Sequence, residues 1–141
     1  MGPKLECPFC ALLSDPASLL VERELASSFF DAFPLNPGHT LVIPRRHVAD
    51  VWNLKRAELE QMLDVAMETR ALVDERFVPD GYNLGVNVGE AAGQTVAHAH
   101  LHLIPRYEGD SGDPRGGIRW IFPERAAYWD KTPGDRTPGS F

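Results

Sequence analysis

Over residues 97–104 small or apolar residues alternate with histidine: Ala97-His98-Ala99-His100-Leu101-His102-Leu103-Ile104. A period of two is the signature of a half-buried β-strand, because successive side chains leave opposite faces of the sheet. The pattern sets His98, His100 and His102 on one face, about 6–7 Å from one to the next. Ala99, Leu101 and Leu103 face the other way, into a core. This strand demands a sheet, and it demands that one face of the sheet be polar at its centre.

The remaining segments supply partners for that strand. Residues 19–24 and 27–33 read as short strands. Pro34-Leu35-Asn36-Pro37-Gly38 reads as a turn, since Pro fixes φ and Gly tolerates a positive one. His39–Ile43 is a further strand, stopped by Pro44. Residues 55–77 form the one long helix, with Leu59, Met62, Leu63, Ala66, Val73 and Phe77 at helical spacing on its core side and Glu58, Glu60, Asp64, Glu68 and Arg70 on the other. Pro79-Asp80-Gly81 ends it, and Tyr82–Val88 alternates as another strand. Short connections favour antiparallel pairing. The expected fold is α+β: an antiparallel sheet of about five strands, one long helix and a short helix. It is expected to be a single domain over 1–141, with its core in about 7–106. Residues 107–130 read as an extension carrying the aromatic islands Trp120-Ile121-Phe122 and Tyr128-Trp129, which are expected to dock on the body or on a partner subunit, and 131–141 read as disordered.

With 43% hydrophobic and 24% charged residues, the chain is ordinary for a globular protein. A formal charge of −6 argues against a nucleic-acid duplex as partner, which needs a basic face. There is no apolar run of membrane-spanning length, and Met1–Glu6 lacks the basic and apolar regions of a signal peptide. The two cysteines, Cys7 and Cys10, form a CxxC. Two cysteines are too few for a disulfide framework, and a reducing cytoplasm is expected. The pair reads as a redox site, half of a zinc site or an inert pair.

Three histidines on one strand face admit three readings. They are a solvated polar face, a metal site built from rings two residues apart, or imidazole chemistry on phosphate, in which a neutral ring attacks beside a protonated neighbour. Just upstream, Gly93-Gln94-Thr95 offers amide and hydroxyl donors suited to phosphate oxygens.

At this point the sequence resembles the histidine triad superfamily. His-x-His-x-His followed by two apolar residues matches its signature. Gly38-His39-Thr40-Leu41-Val42-Ile43-Pro44 looks like its glycine-histidine strand, and Ala92-Gly93-Gln94-Thr95-Val96 like its phosphate turn, with the long helix between them. The resemblance covers roughly residues 7–106. It implies a nucleotidyl hydrolase in which His100 attacks the α-phosphorus. The proton of His100 would sit on Nδ1, held by the backbone carbonyl of His98. His102 and His39 would stabilise charge on the phosphoryl oxygens. Gly93, Gln94 and Thr95 would orient phosphate or leaving group. Asn87 stands where relatives place an amide near ribose and α-phosphate, and Asp31 where they hold the ribose hydroxyls. A turn role is the plain alternative for Asp31, and a merely structural one for Asn87. Phe9 and Phe29 either flank the base or belong to the core.

The resemblance also implies a structural zinc on Cys7, Cys10, His47 and His98, with no organic cofactor, and a homodimer paired through the long helix and its neighbouring strand. The block Glu90–Val96 looks like the fragile-histidine branch, which cleaves dinucleoside polyphosphates. Pro44-Arg45-Arg46-His47 and the CxxC look like the branch that hydrolyses nucleoside phosphoramidates. The sequence leans to dinucleoside polyphosphates such as diadenosine tetraphosphate, with a purine base; Arg115 and Arg119 read first as solvated arginines, with a contact to the second nucleotide's phosphates as the alternative. The alternatives are a purine nucleoside phosphoramidase, a nucleotide-binding module with little catalysis, and a metal-dependent hydrolase.

Overall fold

A computed structural model describes residues 6–132. Residues 1–5 lie outside the described residues, as does most of the segment expected to be disordered, from 133 onward. Five strands form one sheet in the order β1-β2-β3-β5-β4, with every neighbour antiparallel. They are β1 (Val21–Glu22), β2 (Ala26–Phe30), β3 (Thr40–Pro44), β4 (Gly81–Gly85) and β5 (Leu101–Arg106). The register sorts side chains into two sets. Val21, Ser28, Val42 and Leu101 lie in one row across the sheet, and Phe29, Leu41, His102 and Gly85 in the next. Adjacent rows point to opposite faces.

The first face is covered by the long helix α2 (Arg56–Phe77). Met62, Val65 and Ala66 pack on Val21, Ala26, Val42 and Leu101. Thr69 donates its hydroxyl proton to the Val65 carbonyl at 2.7 Å, so Ser28 must be the donor in the 2.6 Å hydroxyl pair between helix and sheet. The observed core side of α2 is Glu58, Met62, Val65, Ala66, Thr69 and Val73. This corrects the expected face: Leu59 and Leu63 are exposed, and Glu58 is buried. Glu58 tolerates burial because it accepts the Lys55 N–H at 2.8 Å at the start of the helix and pairs with Arg46 at 2.7 Å. Those contacts hold its carboxyl below the usual carboxylate range, the Arg46 hydrogen bond first among them. At the other end Val78 takes a left-handed conformation at φ 52°, and Pro79 cannot continue the helix.

The second face is covered by α1 (Pro8–Leu13), where Phe9 joins Cys7, Phe29, Leu41 and Ile43. The histidine strand is displaced from its expected bounds. β5 begins at Leu101, residues 96–98 form a bend, and the Ala99 N–H bonds the Val48 carbonyl at 2.7 Å instead of a strand. The strand runs on through Pro105 to Arg106. Proline fits there because β3 pairs β5 only as far as Leu103, so the missing N–H faces no strand on that side.

The described residues fall into two compact units that divide after Tyr107. The second holds short helical turns, Gly117–Ile121 and Tyr128–Asp130, around α3 (Pro123–Ala126). Its aromatic islands are used internally: Arg115 stacks over Trp129, Arg119 over Tyr128 and Arg125 over Phe122.

Candidate active site and metal centre

Cys7 stands just before α1 and Cys10 lies within it, so one helical turn brings both sulfurs to the same side. They meet His47 and His98. Nδ1 of His98 is 3.5 Å from the Cys7 sulfur, 3.6 Å from that of Cys10 and 3.3 Å from Nδ1 of His47, and the latter is 3.3 Å from the Cys10 sulfur. All four donor atoms lie within 4.8 Å of one another. In a tetrahedron with zinc–nitrogen bonds of about 2.0–2.1 Å and zinc–sulfur bonds of about 2.3 Å, neighbouring donors stand about 3.3–3.8 Å apart. Nε2 of His98 is 2.8 Å from the Pro44 carbonyl. A carbonyl only accepts, so Nε2 carries the proton and the Nδ1 lone pair faces the sulfurs. The cluster therefore has the spacing, donor set and tautomer of a metal centre.

His100 follows two residues later with the opposite tautomer. Its Nδ1 is 2.8 Å from the carbonyl of His98, so Nδ1 holds the proton and Nε2 of the neutral ring is bare. The ring of Phe9 lies against it edge-on at 5.1 Å and against His98 at 5.9 Å. Phe9 also contacts Phe29 at 5.3 Å, and both are buried in the core of this face.

His102 sits beside His100, ring centres 5.1 Å apart. Its Nδ1 is 3.0 Å from Nε2 of His39. Burial lowers the pKa of His102 to about 4, helped by His100 and His39 and opposed by Asp31. Burial also lowers His39, again against the pull of Asp31. The Asp31 carboxylate accepts the Phe33 N–H at 2.9 Å and reaches within 3.5 Å of Nε2 of His39. Asp31 is thus both a turn residue and a neighbour of the histidines.

The phosphate-turn candidates separate. Gly93 takes φ 89°, a conformation that favours glycine. Gln94 turns its carboxamide into the loop: it accepts the Gly89 N–H at 2.9 Å and donates to the carbonyls of Ala49 and Val96 at 2.6 and 3.0 Å. It braces the turn where the sequence suggested a phosphate contact. Thr95 is exposed. Asn87 is half-buried, two residues past Gly85, which pairs with His102. A cavity of about 390 Å³ opens beside the turn, between Glu90, Gln94 and Thr95 on one side and Glu6, Cys7 and His47 on the other; among the described residues no lysine or arginine lines it. Arg115 is bonded to Asp113, and Arg119 donates to the carbonyls of Ala126 and Arg125, within the second unit. The groups that sequence reasoning missed are backbone atoms: the carbonyls of Pro44 and Val48, and the Leu35 N–H, 3.0 Å from Nδ1 of His39.

Known proteins share this arrangement of sequence and fold. Residues 13–109 match the HIT domain family. An adenosine 5'-monophosphoramidase of Candida albicans is 34% identical over 137 residues, 93% of this chain and 87% of that protein. The AP-4-A phosphorylase of Mycobacterium tuberculosis is 34% identical over 101 residues, 70% of this chain but 52% of that protein. The crystal structure of a Zn-bound histidine triad family protein from Mycobacterium smegmatis superposes with a TM-score of 0.70 at 36% identity, covering 79% of this chain and 82% of that one. The chain belongs to the HIT domain family, within the histidine triad superfamily of nucleotide hydrolases.

Proposed function

We propose that this protein hydrolyses a purine nucleotide at its α-phosphate through a nucleotidyl intermediate on His100. The observation that carries the reading is the 2.8 Å bond from Nδ1–H of His100 to the His98 carbonyl. In the neutral ring that bond leaves Nε2 with an in-plane lone pair and no proton, which a nitrogen nucleophile requires. Nε2 attacks the α-phosphorus as the bond to the leaving group breaks, and the departing atom takes up a proton. Water then attacks the same phosphorus and gives up a proton as the P–Nε2 bond breaks, releasing nucleoside monophosphate. His102, neutral at pH 7, supplies a hydrogen bond to the charge that builds on oxygen. Asp31 and Asn87 hold the ribose side, and Gly93, Gln94 and Thr95 shape the phosphate side, Gln94 through the loop that it braces. Phe9 supports the His100 ring from behind.

A zinc ion on Cys7, Cys10, His47 and His98 is part of this reading; four protein ligands make it structural. Bound there, it fixes α1 against the segment whose carbonyl orients His100. Thiolate ligands suit a reducing compartment, in keeping with a cytoplasmic protein. Among the described residues no helix is long and apolar enough to cross a membrane.

Two leaving groups compete. The sequence leans to a dinucleoside polyphosphate. The cavity beside Thr95 favours the alternative, an amine released from a nucleoside phosphoramidate. Among the described residues its wall carries Glu6 and Glu90 and neither lysine nor arginine, which suits a cationic amine better than a polyphosphate. The relative that is similar over 93% of this chain is a phosphoramidase. The test is hydrolysis of adenosine phosphoramidate and of a dinucleoside polyphosphate by the parent chain and His100→Asn. We expect turnover of the phosphoramidate to exceed that of the polyphosphate, and a loss on the order of 10⁴-fold in the variant. Turnover of neither substrate above the variant's level would favour a binding module.

A homodimer completes the proposal. Leu59, Leu63 and Met67 form an exposed stripe along α2, and Leu84 is exposed on the edge strand β4. A second copy would bury both. Sedimentation as a monomer at micromolar concentration would contradict it.

A further inference from the structure

His39 and His102 are held by a different device from His100. The Leu35 N–H can only donate, so Nδ1 of His39, 3.0 Å away, keeps its lone pair. A neutral His39 ring then carries its proton on Nε2. That proton faces Nδ1 of His102 at 3.0 Å, a nearer acceptor than the Asp31 carboxylate at 3.5 Å, so Nδ1 of His102 accepts it. A neutral His102 in turn carries its own proton on Nε2, away from His39. The same constraint argues against a metal on Asp31, His39 and His102, whose donor atoms also lie within 4.8 Å of one another. An ion on Nε2 of His39 would leave that ring without a proton on either nitrogen, or would break the Leu35 bond.

We infer that the backbone N–H of Leu35 is a positioning group: acting through His39, it fixes His102 as an Nε2–H donor, the tautomer opposite to that of His100. The turn that carries it is anchored at several points. Asn36 donates to the Pro105 carbonyl at 3.0 Å, and Tyr107 donates to the Pro37 carbonyl at 2.7 Å. Gly38 takes φ 87° where a Cβ would lie 3.0 Å from both Val73 and Phe77 of α2. Leu35 is 72% exposed, so the amide is what this residue contributes. A bare nitrogen beside an N–H donor gives the site one group to attack phosphorus and one to meet the charge that develops.

The proton positions stand on geometry alone; their catalytic consequence rests on the hydrolysis proposed above. Leu35→Pro deletes the N–H, and Leu35→Ala keeps it. Histidine ¹⁵N NMR of the zinc-loaded protein at neutral pH reports each tautomer. Parent and Leu35→Ala should show His100 as Nδ1–H and both His39 and His102 as Nε2–H. In Leu35→Pro, His102 should become a mixture of tautomers while His100 keeps its signature. There kcat should fall about tenfold, with KM changing less than about twofold. His102 as Nδ1–H in the parent would overturn the inference, and so would Leu35→Pro with parental tautomers and kcat. If Leu35→Pro does not fold, the parent and Leu35→Ala spectra still decide the proton positions. If the parent hydrolyses neither substrate, the proposed function fails while the tautomers are still read.

Discussion

The two faces of this sheet are built on different principles. Under α2 the contacts are apolar and interlocked, and stability comes from area removed from water. Under α1 the decisive contacts are single hydrogen bonds to backbone groups: the carbonyl of Pro44 to His98, the carbonyl of His98 to His100, the amide of Leu35 to His39. Each contributes little to stability, yet each chooses which nitrogen of a ring is free. One face holds the chain together and the other sets its chemistry, so damage to each should show in a different measurement.

Removing the proposed zinc should have the broadest effect, on stability and turnover together, because the cluster would tie α1 to the segment that orients His100. Chelation, or Cys7→Ser, should take metal content from one per chain to none. A loss of about 3 kcal/mol would lower Tm by about 10 °C, and kcat should fall about tenfold or more as the His98 carbonyl loosens. A chain purified without chelator that carries no zinc would remove this half of the comparison. Met62→Ala tests the other face. Its side chain is buried under α2, and the cavity should cost about 2–5 kcal/mol in denaturant unfolding while kcat per folded molecule stays unchanged. A parallel fall in kcat would mean that the faces are not separable. Gly38→Ala sits where they meet, in a left-handed conformation against Val73 and Phe77. It should cost about 1–3 kcal/mol and also slow turnover, because the turn that carries Leu35 must shift.

A further effect is on pH dependence. Burial holds His102 at about 4, against an ordinary 6.5. The unfolded ring takes up a proton as pH falls through 6.5, and the folded ring does not until about 4. This contribution is therefore fully present above 6.5 and is lost progressively between 6.5 and 4. Urea midpoints from pH 7 to 4.5 should fall more steeply for the parent than for His102→Gln; equal slopes would show that His102 does not carry the effect.

The sequence shows the apolar face through its periods of two and 3.6, yet it misplaces Glu58, because the guanidinium that makes its burial tolerable comes from Arg46 in a separate segment. It shows which residues make the histidine face but not how they are held. Alternation at 97–104 marks the strand, and the resemblance assembles Cys7, Cys10, His47 and His98 from three distant segments. Nothing in the residue letters marks the bend at 96–98, where pairing gives way to a bond to Val48. The tautomers are hidden for the same reason, since they depend on backbone carbonyls that every residue carries and on an N–H that every residue but proline carries. Gln94 shows a related limit: a polar residue in a glycine turn suits phosphate and loop bracing equally, and only the positions of Ala49, Gly89 and Val96 reveal the bracing.

The central claim is a covalent bond between Nε2 of His100 and the α-phosphorus. The stereochemical course at a phosphorus made chiral by sulfur and oxygen isotopes tests it most directly. Two successive in-line displacements predict net retention of configuration in the released nucleoside monophosphate. Net inversion would mean that water attacks in a single step, and His100 would not be the nucleophile.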